Sequence, residues 1–207
     1  MGVLAFAAVA AYGHPVQAKR AMPMDDFDGR FAPSFQLLGR PIGGTKAAPA
    51  APAYLTASRI TAAGDGALVI DADSGQLVRT DKSGKNVAQL AIGSNAGLLA
   101  YDPASKLAYV VDRVGNRVVV VKVGDTLELD SQWKTPAEPY GVALSPDRKT
   151  ALVTTIADRA LVAFDTATGK EKWRSALGRE PRGIAVSPDG SRALVAYLET
   201  GTVDQID

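Results

Sequence analysis

From Tyr54 onward, apolar runs rich in Val, Leu and Ala alternate with turn residues at roughly ten-residue spacing, the signature of short strands in an all-β domain. The pattern is clearest in GVALSPDRKTALVTTIADRALVAFDTATGKEKWRSALGREPR, beginning at Gly141. It predicts strands over Gly141–Ser145, Thr150–Thr155, Ala160–Asp165 and Glu171–Leu177, four strands joined by hairpin turns. The unit recurs as GIAVSPDGSRALVAYLETGTVDQID from Gly183 and, more loosely, as GLLAYDPASKLAYVVDRVGNRVVVVKV from Gly97. The turn prolines Pro103, Pro146 and Pro188 lie 43 and 42 residues apart, and the strand-opening alanines Ala67, Ala108, Ala151 and Ala193 lie 41, 43 and 42 apart. A period of that length, with four strands per unit, belongs to propeller blades.

The expected fold is therefore an all-β β-propeller of four-stranded antiparallel blades: three complete, over 54–96, 97–140 and 141–182, and a fourth, 183–207, incomplete. This arithmetic predicts a fragment of a longer propeller. The alternative is a four-bladed ring closed by a strand near Phe35–Leu38, which would remove an exposed edge. Turn chemistry agrees with the strand pattern. In SPDR and SPDG, proline takes the second position of a tight turn because its ring fixes φ near −65°. In Asp165-Thr166-Ala167-Thr168-Gly169-Lys170 and Asp81-Lys82-Ser83-Gly84-Lys85, glycine supplies the left-handed residue and aspartate bonds the amides ahead of it.

The N-terminal part lacks this periodicity. Residues 1–18 hold a short apolar run, GVLAFAAVAAYG, then Val16 and Ala18 at the spacing of a signal-peptidase site, so they read as a signal peptide although no positive n-region precedes them. Residues 19–53 are rich in Pro, Gly, Ala and charge and read as loop and linker. A periplasmic or extracellular location is expected. No run approaches the ~20 apolar residues of a membrane-spanning helix.

Composition narrows the chemistry further. With 23 basic and 22 acidic residues the formal charge is +1, which argues against a nucleic-acid partner. There is no cysteine, and the single histidine, His14, lies in the signal-like run. The rest of the chain therefore offers no thiolate or histidine metal ligand and no Ser-His-Asp triad, and no cofactor is expected within it. Asp71-Ala72-Asp73-Ser74-Gly75 opens like a calcium loop, but Lys82 stands where a bidentate glutamate is needed, so it reads as a turn. Asp25, Asp26 and Asp28 read as solvent-exposed, and Gly64 and Gly66 precede a strand, where a dinucleotide site needs a helix.

The period, the GVALSPD and GIAVSPDGSRALV strand-turn-strand segments and the FDTATGK turn resemble the YVTN-type (YncE-like) repeats of exported bacterial propellers, in the WD40- and quinoprotein-like superfamily. The resemblance covers 97–207 well and 54–96 loosely; the Tyr-Val-Thr-Asn core survives as YVVD at 109–112, LVTT at 152–155 and LVAY at 194–197. It implies a binding or surface module, or a propeller fused to a cytochrome or peroxidase domain. FDTATGKEKW at 164–173 is also similar to the repeat of pyrroloquinoline-quinone dehydrogenases and their non-enzymatic scaffold relatives. That likeness implies tryptophans packed between blades, and Trp133 and Trp173, 40 residues apart, match such outer-strand positions. The metal site and cysteine pair of those dehydrogenases have no counterpart in the sequence.

Because strands alternate direction, the ends of second strands and the links between blades should share one face of the disc, around the mouth of the channel. That face gathers Asn95, Asp112, Arg113, Asn116, Tyr140, Asp158, Arg159, Arg182 and Glu199, with Glu138 and Glu180 in matching E-P-x-G links. Tyr140 and Arg182 stand out because each precedes the glycine of an innermost strand. Variable polar positions on a repetitive frame are where a binding site is expected, for a protein or a small-molecule ligand. The same residues also read as a solvated rim whose ion pairs are each worth little. A non-enzymatic binding module is the leading expectation; the alternative is the propeller part of a periplasmic redox protein whose catalytic site lies outside this chain.

Overall fold

The computed structural model describes residues 58–207; the signal-like run, the 19–53 linker and the strand expected near Phe35–Leu38 lie outside them. Four consecutive antiparallel sheets follow one another. The first holds β1 (Ile60–Ala63), β2 (Gly66–Asp71), β3 (Gln76–Thr80) and β4 (Asn86–Ala91), and the second β5 (Ala96–Asp102), β6 (Leu107–Asp112), β7 (Arg117–Val123) and β8 (Leu127–Lys134). The third holds β9 (Pro139–Leu144), β10 (Thr150–Thr155), β11 (Ala160–Asp165) and β12 (Glu171–Ala176), and the last β13 (Pro181–Val186), β14 (Ala193–Tyr197) and β15 (Val203–Ile206). Each strand pairs with its chain neighbour, so every sheet is an up-and-down meander. The first strands lie innermost, β5 against β9 and β9 against β13, whereas the outermost β12 is exposed along its whole length. These are four propeller blades, three of four strands and one of three.

Directly paired residues share a face of a sheet, and the register shows how the second and third blades each bury two apolar faces and the first and fourth one each among the described residues. At the first seam, Leu68 and Leu77 pack with Leu99, Val110 and Val119. At the second, Tyr109, Val118 and Trp133 meet Val142, Val153, Val162 and Phe164. The third joins Leu152 and Leu161 to Ile184, Val195 and Tyr197. Full burial of each such side chain stabilises by about 1.5–3 kcal/mol.

The inner strands start earlier than their alternation suggests. Pro139 pairs with Thr155 and Pro181 with Tyr197, so β9 begins two residues before Gly141. Proline is tolerated there because the first residue of a strand need not donate to the ladder. The turns behave as their sequences require. Ser145 O accepts from Arg148 N at 2.8 Å and Ser187 O from Gly190 N at 2.9 Å, while Asp165 O accepts from Gly169 N at 2.8 Å. The Asp71 carboxylate takes the amides of Asp73 and Ser74, both at 3.2 Å, which makes the calcium-like stretch a turn.

The turns between first and second strands and between second and third strands each hold one left-handed residue, and glycine does not always supply it. Between first and second strands the position is filled by Gly64, Lys106, Arg148 and Gly190; between second and third, by Gly75, Asn116, Arg159 and Gly201.

The two tryptophans differ. Trp133 is 6% exposed, with Phe164 stacked at 6.1 Å and Tyr109 tilted at 5.5 Å. Trp173 is 45% exposed. The expectation that both are packed between blades holds for the first only. Trp133 is seated by Phe164 and by the turn at Gly169, where a Cβ would approach the indole to 2.1 Å. The registers also differ: Trp133 lies opposite Val118, whereas Ser175 lies opposite the equivalent Leu161 and Trp173 opposite Ala163, so the two tryptophans do not match in position along their strands. At the third seam Ile206 takes the place of Phe164, and the described residues contain no counterpart of the Gly169 turn.

Candidate functional site

The end of the disc that carries the links is built by strand pairing. Asp112 lies opposite Ala96, Thr155 opposite Pro139 and Tyr197 opposite Pro181, so each second-to-third-strand turn sits beside the link that enters its own blade. The links themselves are held in an uncommon conformation: Asn95, Glu138 and Glu180 have φ of 58°, 55° and 57°. Left-handed backbone at a glutamate carries strain that the surroundings must hold in place. Here the carbonyls of Glu138 and Glu180 accept from Ile156 N and Leu198 N at 2.8 and 3.0 Å, and Glu138 N donates to Asn116 Oδ1 at 2.9 Å. Ala137 N adds a bond to Asp158 Oδ2 at 2.5 Å. Asn116 and Asp158 thus fix the second link.

On this frame three side chains converge. The guanidinium carbons of Arg113 and Arg182 lie 5.3 and 4.6 Å from the centroid of the Tyr140 ring. Each arginine is pinned by the glutamate of a link, Arg113 Nη2 to Glu138 Oε1 at 2.8 Å and Arg182 Nη2 to Glu180 Oε2 at 2.6 Å. Both Nε atoms are buried without a hydrogen-bond partner among the described residues. Buried donors are ordinarily satisfied, so two neighbouring exceptions mark a costly arrangement, offset in part by cation–π attraction to Tyr140.

One determinant sits a layer below. Thr154 is fully buried; its hydroxyl accepts from Gly141 N at 2.9 Å and donates to Arg182 O at 2.8 Å, tying the third blade to the residue that carries the Arg182 side chain. Sequence reasoning did not single it out, although it stands in the LVTT tetrad.

The remaining candidates have other roles. Asp112 is buried, and its carboxylate accepts from Gly115 N at 2.9 Å and Arg117 Nε at 2.8 Å, closing its own turn. Arg159 supplies a left-handed turn position and its side chain is exposed. Glu199 pairs with Arg179 at 3.1 Å on the open surface. Burial pushes the Tyr197 phenol up to about 12, with help from Asp204, so it stays protonated beside the third link. A separate depression of about 410 Å³ lies in the second blade among Ser105, Lys106, Gly124 and Glu128, at the end away from the links.

Fold and link-end geometry together define a β-propeller repeat protein with a polar, arginine-lined face. The chain belongs to the PQQ_2 family, described as outer membrane protein assembly factor BamB, whose model matches residues 44–175. FDTATGKEKW lies inside that stretch. No curated protein matches the chain. Among solved structures it is similar to hydrazine synthase of Kuenenia stuttgartiensis, with 24% identity, a TM-score of 0.63 and coverage of 81% of this chain and 49% of that one. It is also similar to the Cps50 (Swd1) β-propeller domain of Myceliophteria thermophila, at 16% identity and TM-score 0.60 over 72% and 52% of the two chains. A third likeness is to a 6-phosphogluconolactonase-type structure from Bacteroides fragilis, at 16% identity and TM-score 0.61 over 72% and 49%. These likenesses show the fold, and the chain spans about half the length of each. Among the described residues no helix is long and apolar enough to cross a membrane.

Proposed function

We propose that this chain is an exported propeller binding module whose link face, centred on Tyr140 with Arg113 and Arg182, engages a segment of a partner protein. The observation that carries this reading is the pair of arginines held over one tyrosine by left-handed glutamates. An aromatic ring beside preset guanidinium groups is the composition of interface anchors, and its place at loop ends on a rigid frame favours recognition. Among the described residues Arg182 bonds only through Nη2, which leaves Nη1 for an acceptor. A carboxylate or a peptide carbonyl fits that position, and an aromatic side chain fits beside Tyr140. The family description, an assembly factor for outer membrane proteins, supports a protein partner and an exported setting, as do the signal-like residues 1–18 and the YVTN-type likeness.

The test is fluorescence anisotropy with short labelled peptides that are acidic and aromatic, basic and aromatic, or neutral. Wild-type protein should bind the acidic aromatic set, and Tyr140→Ala and Arg182→Ala should each weaken it by at least roughly tenfold, the size of an anchor residue. Glu199→Ala, on the open rim, should leave it nearly unchanged. Equal binding by wild type and both anchor variants would refute the assignment.

A further inference from the structure

We infer that the depression at the turn end of the second blade is a binding site for a small zwitterion of dipeptide size, its carboxylate held by Lys106 and its ammonium by Glu128. The site arises where this blade departs from the repeat. Ala67, Ala108 and Ala151 pair with Thr80, Val121 and Phe164, so Lys122 stands where the first and third blades have Asp81 and Asp165. Those aspartates close their third links by accepting amides, Asp81 from Ser83 N at 2.8 Å and Asp165 from Thr168 N at 2.9 Å. A lysine cannot accept, and the second blade turns instead through a bond from Gly124 N to Thr126 O at 3.0 Å.

The neighbouring first link departs as well. Its left-handed residue is Lys106, three after Pro103, whereas Arg148 and Gly190 come two after their prolines. Val123 N donates to Lys106 O at 2.8 Å, which sets the two altered turns side by side, and between them opens the depression of about 410 Å³. That volume is within the range of small-molecule sites.

Lys106 itself carries the argument further. Of the four left-handed residues in first links, two are Gly64 and Gly190, and Arg148 uses its side chain to reach Asp102 at 2.6 Å. Lys106 holds the same strained backbone, yet its side chain is exposed and its ammonium bonds nothing among the described residues. Strain kept without an internal use points to a functional position.

The charges choose the ligand. Leu107, Lys122 and Glu128 pair directly, so they share one face, on which Leu107 is half-buried and apolar. Lys122 pairs with Asp130 at 3.2 Å, and Glu128 Oε1 takes the Thr126 hydroxyl at 3.0 Å, which leaves Oε2 for a ligand. With Lys106, these side chains balance two positive charges against two negative ones. An anion meets two carboxylates there and a cation two ammonium groups, whereas a molecule carrying both signs satisfies Lys106 and Glu128 at once.

The test is isothermal titration calorimetry of the 207-residue protein with glycyl-leucine, its N-acetyl form, its C-terminal amide, and maltose as an uncharged ligand. Wild type should bind glycyl-leucine saturably and each blocked form at least roughly tenfold more weakly, because each lacks one charge-assisted hydrogen bond. Lys106→Gly keeps the left-handed turn, since glycine takes that backbone freely, so its melting temperature should not fall. It should bind glycyl-leucine roughly tenfold more weakly and the amide no worse than wild type does. Glu128→Gln should show the same pattern with the N-acetyl form. Arg182→Ala should leave all four titrations unchanged, which separates this site from the link face. No saturable binding by wild type overturns the inference, including the case where residues 1–57 fill the depression. So does maltose bound as tightly as glycyl-leucine, full binding by Lys106→Gly, or loss of binding in Arg182→Ala.

Discussion

The second and third seams start from the same repeat and end differently. At the second, Trp133 is enclosed by Tyr109, Phe164 and the Gly169 turn; at the third, Ser175 holds the equivalent outer-strand position, and Trp173, two residues earlier on the same face, stands half in solvent. An offset of two residues along the outer strand thus keeps Trp173 on the seam face of its sheet but at a different place along it from Trp133, and there it is half exposed. The third seam relies instead on its inner half. Thr154 bridges Gly141 and Arg182 there, a bond for which the second seam has Val111 at the equivalent place.

The largest expected contrast is between the tryptophans themselves. Trp133→Ala should destabilise by about 3–5 kcal/mol and Trp173→Ala by under about 1 kcal/mol in denaturant unfolding, because only the first leaves a cavity. Similar losses from both would mean that Trp173 is covered as well. Next comes Gly169→Ala, which forces a side chain onto a left-handed backbone and into the Trp133 indole; about 2–3 kcal/mol is expected, against about 1 kcal/mol for Gly201→Ala, where the space is open. Thr154→Val should cost about 1–3 kcal/mol by leaving Gly141 N unpaired. It should also loosen peptide binding at Arg182 while sparing the Trp133 fluorescence that reports on the second seam.

The smallest effect is on pH. Burial pushes the Asp102 carboxyl up, but the Ser105 hydroxyl, the Ala104 and Ser105 amides and the Arg148 guanidinium, 2.6 Å away across the second seam, outweigh it and hold the value below the ordinary range. Folding thus favours the ionised form. The stabilisation is complete above the unfolded value near pH 4 and is lost as pH falls through the lower folded one. Asp102→Asn should flatten that acid limb of the stability curve. An unchanged slope would assign it to other carboxylates, among them Asp189, lowered to about 2 by the Ser187 and Ser191 hydroxyls.

Much of the fold was readable from local signals. Pro146 and Pro188 announce turns, Gly84 and Gly169 supply left-handed residues, and Val-rich alternation sets the faces, because hairpins are written in adjacent residues. Seam chemistry was less legible. Nothing near Trp173 in sequence says what lies over it, and Thr154 looks like any strand threonine until β13 is laid beside β9. Glu138 and Glu180 were visible as repeated link residues. Their left-handed φ was not, since that conformation is imposed by carbonyl bonds to Ile156 and Leu198 in the neighbouring strand-end turns. At the link face the sequence assembled the right neighbourhood around Tyr140. It did not separate Asp112, which closes its own turn, from Arg113 beside it, which reaches across to the ring.

The meander order of each blade has a kinetic meaning. Every strand pairs with the one made just before it, so a blade can zip up from short loops as it leaves the ribosome, with little loop-closure entropy to overcome. Seams are then added one at a time, and nearest-neighbour stacks of this kind also come apart from their ends. Among the described residues the fourth sheet is joined through a single seam, beside a half-covered tryptophan, and in this 207-residue chain it should lose amide protection before the valines on either side of Trp133 do.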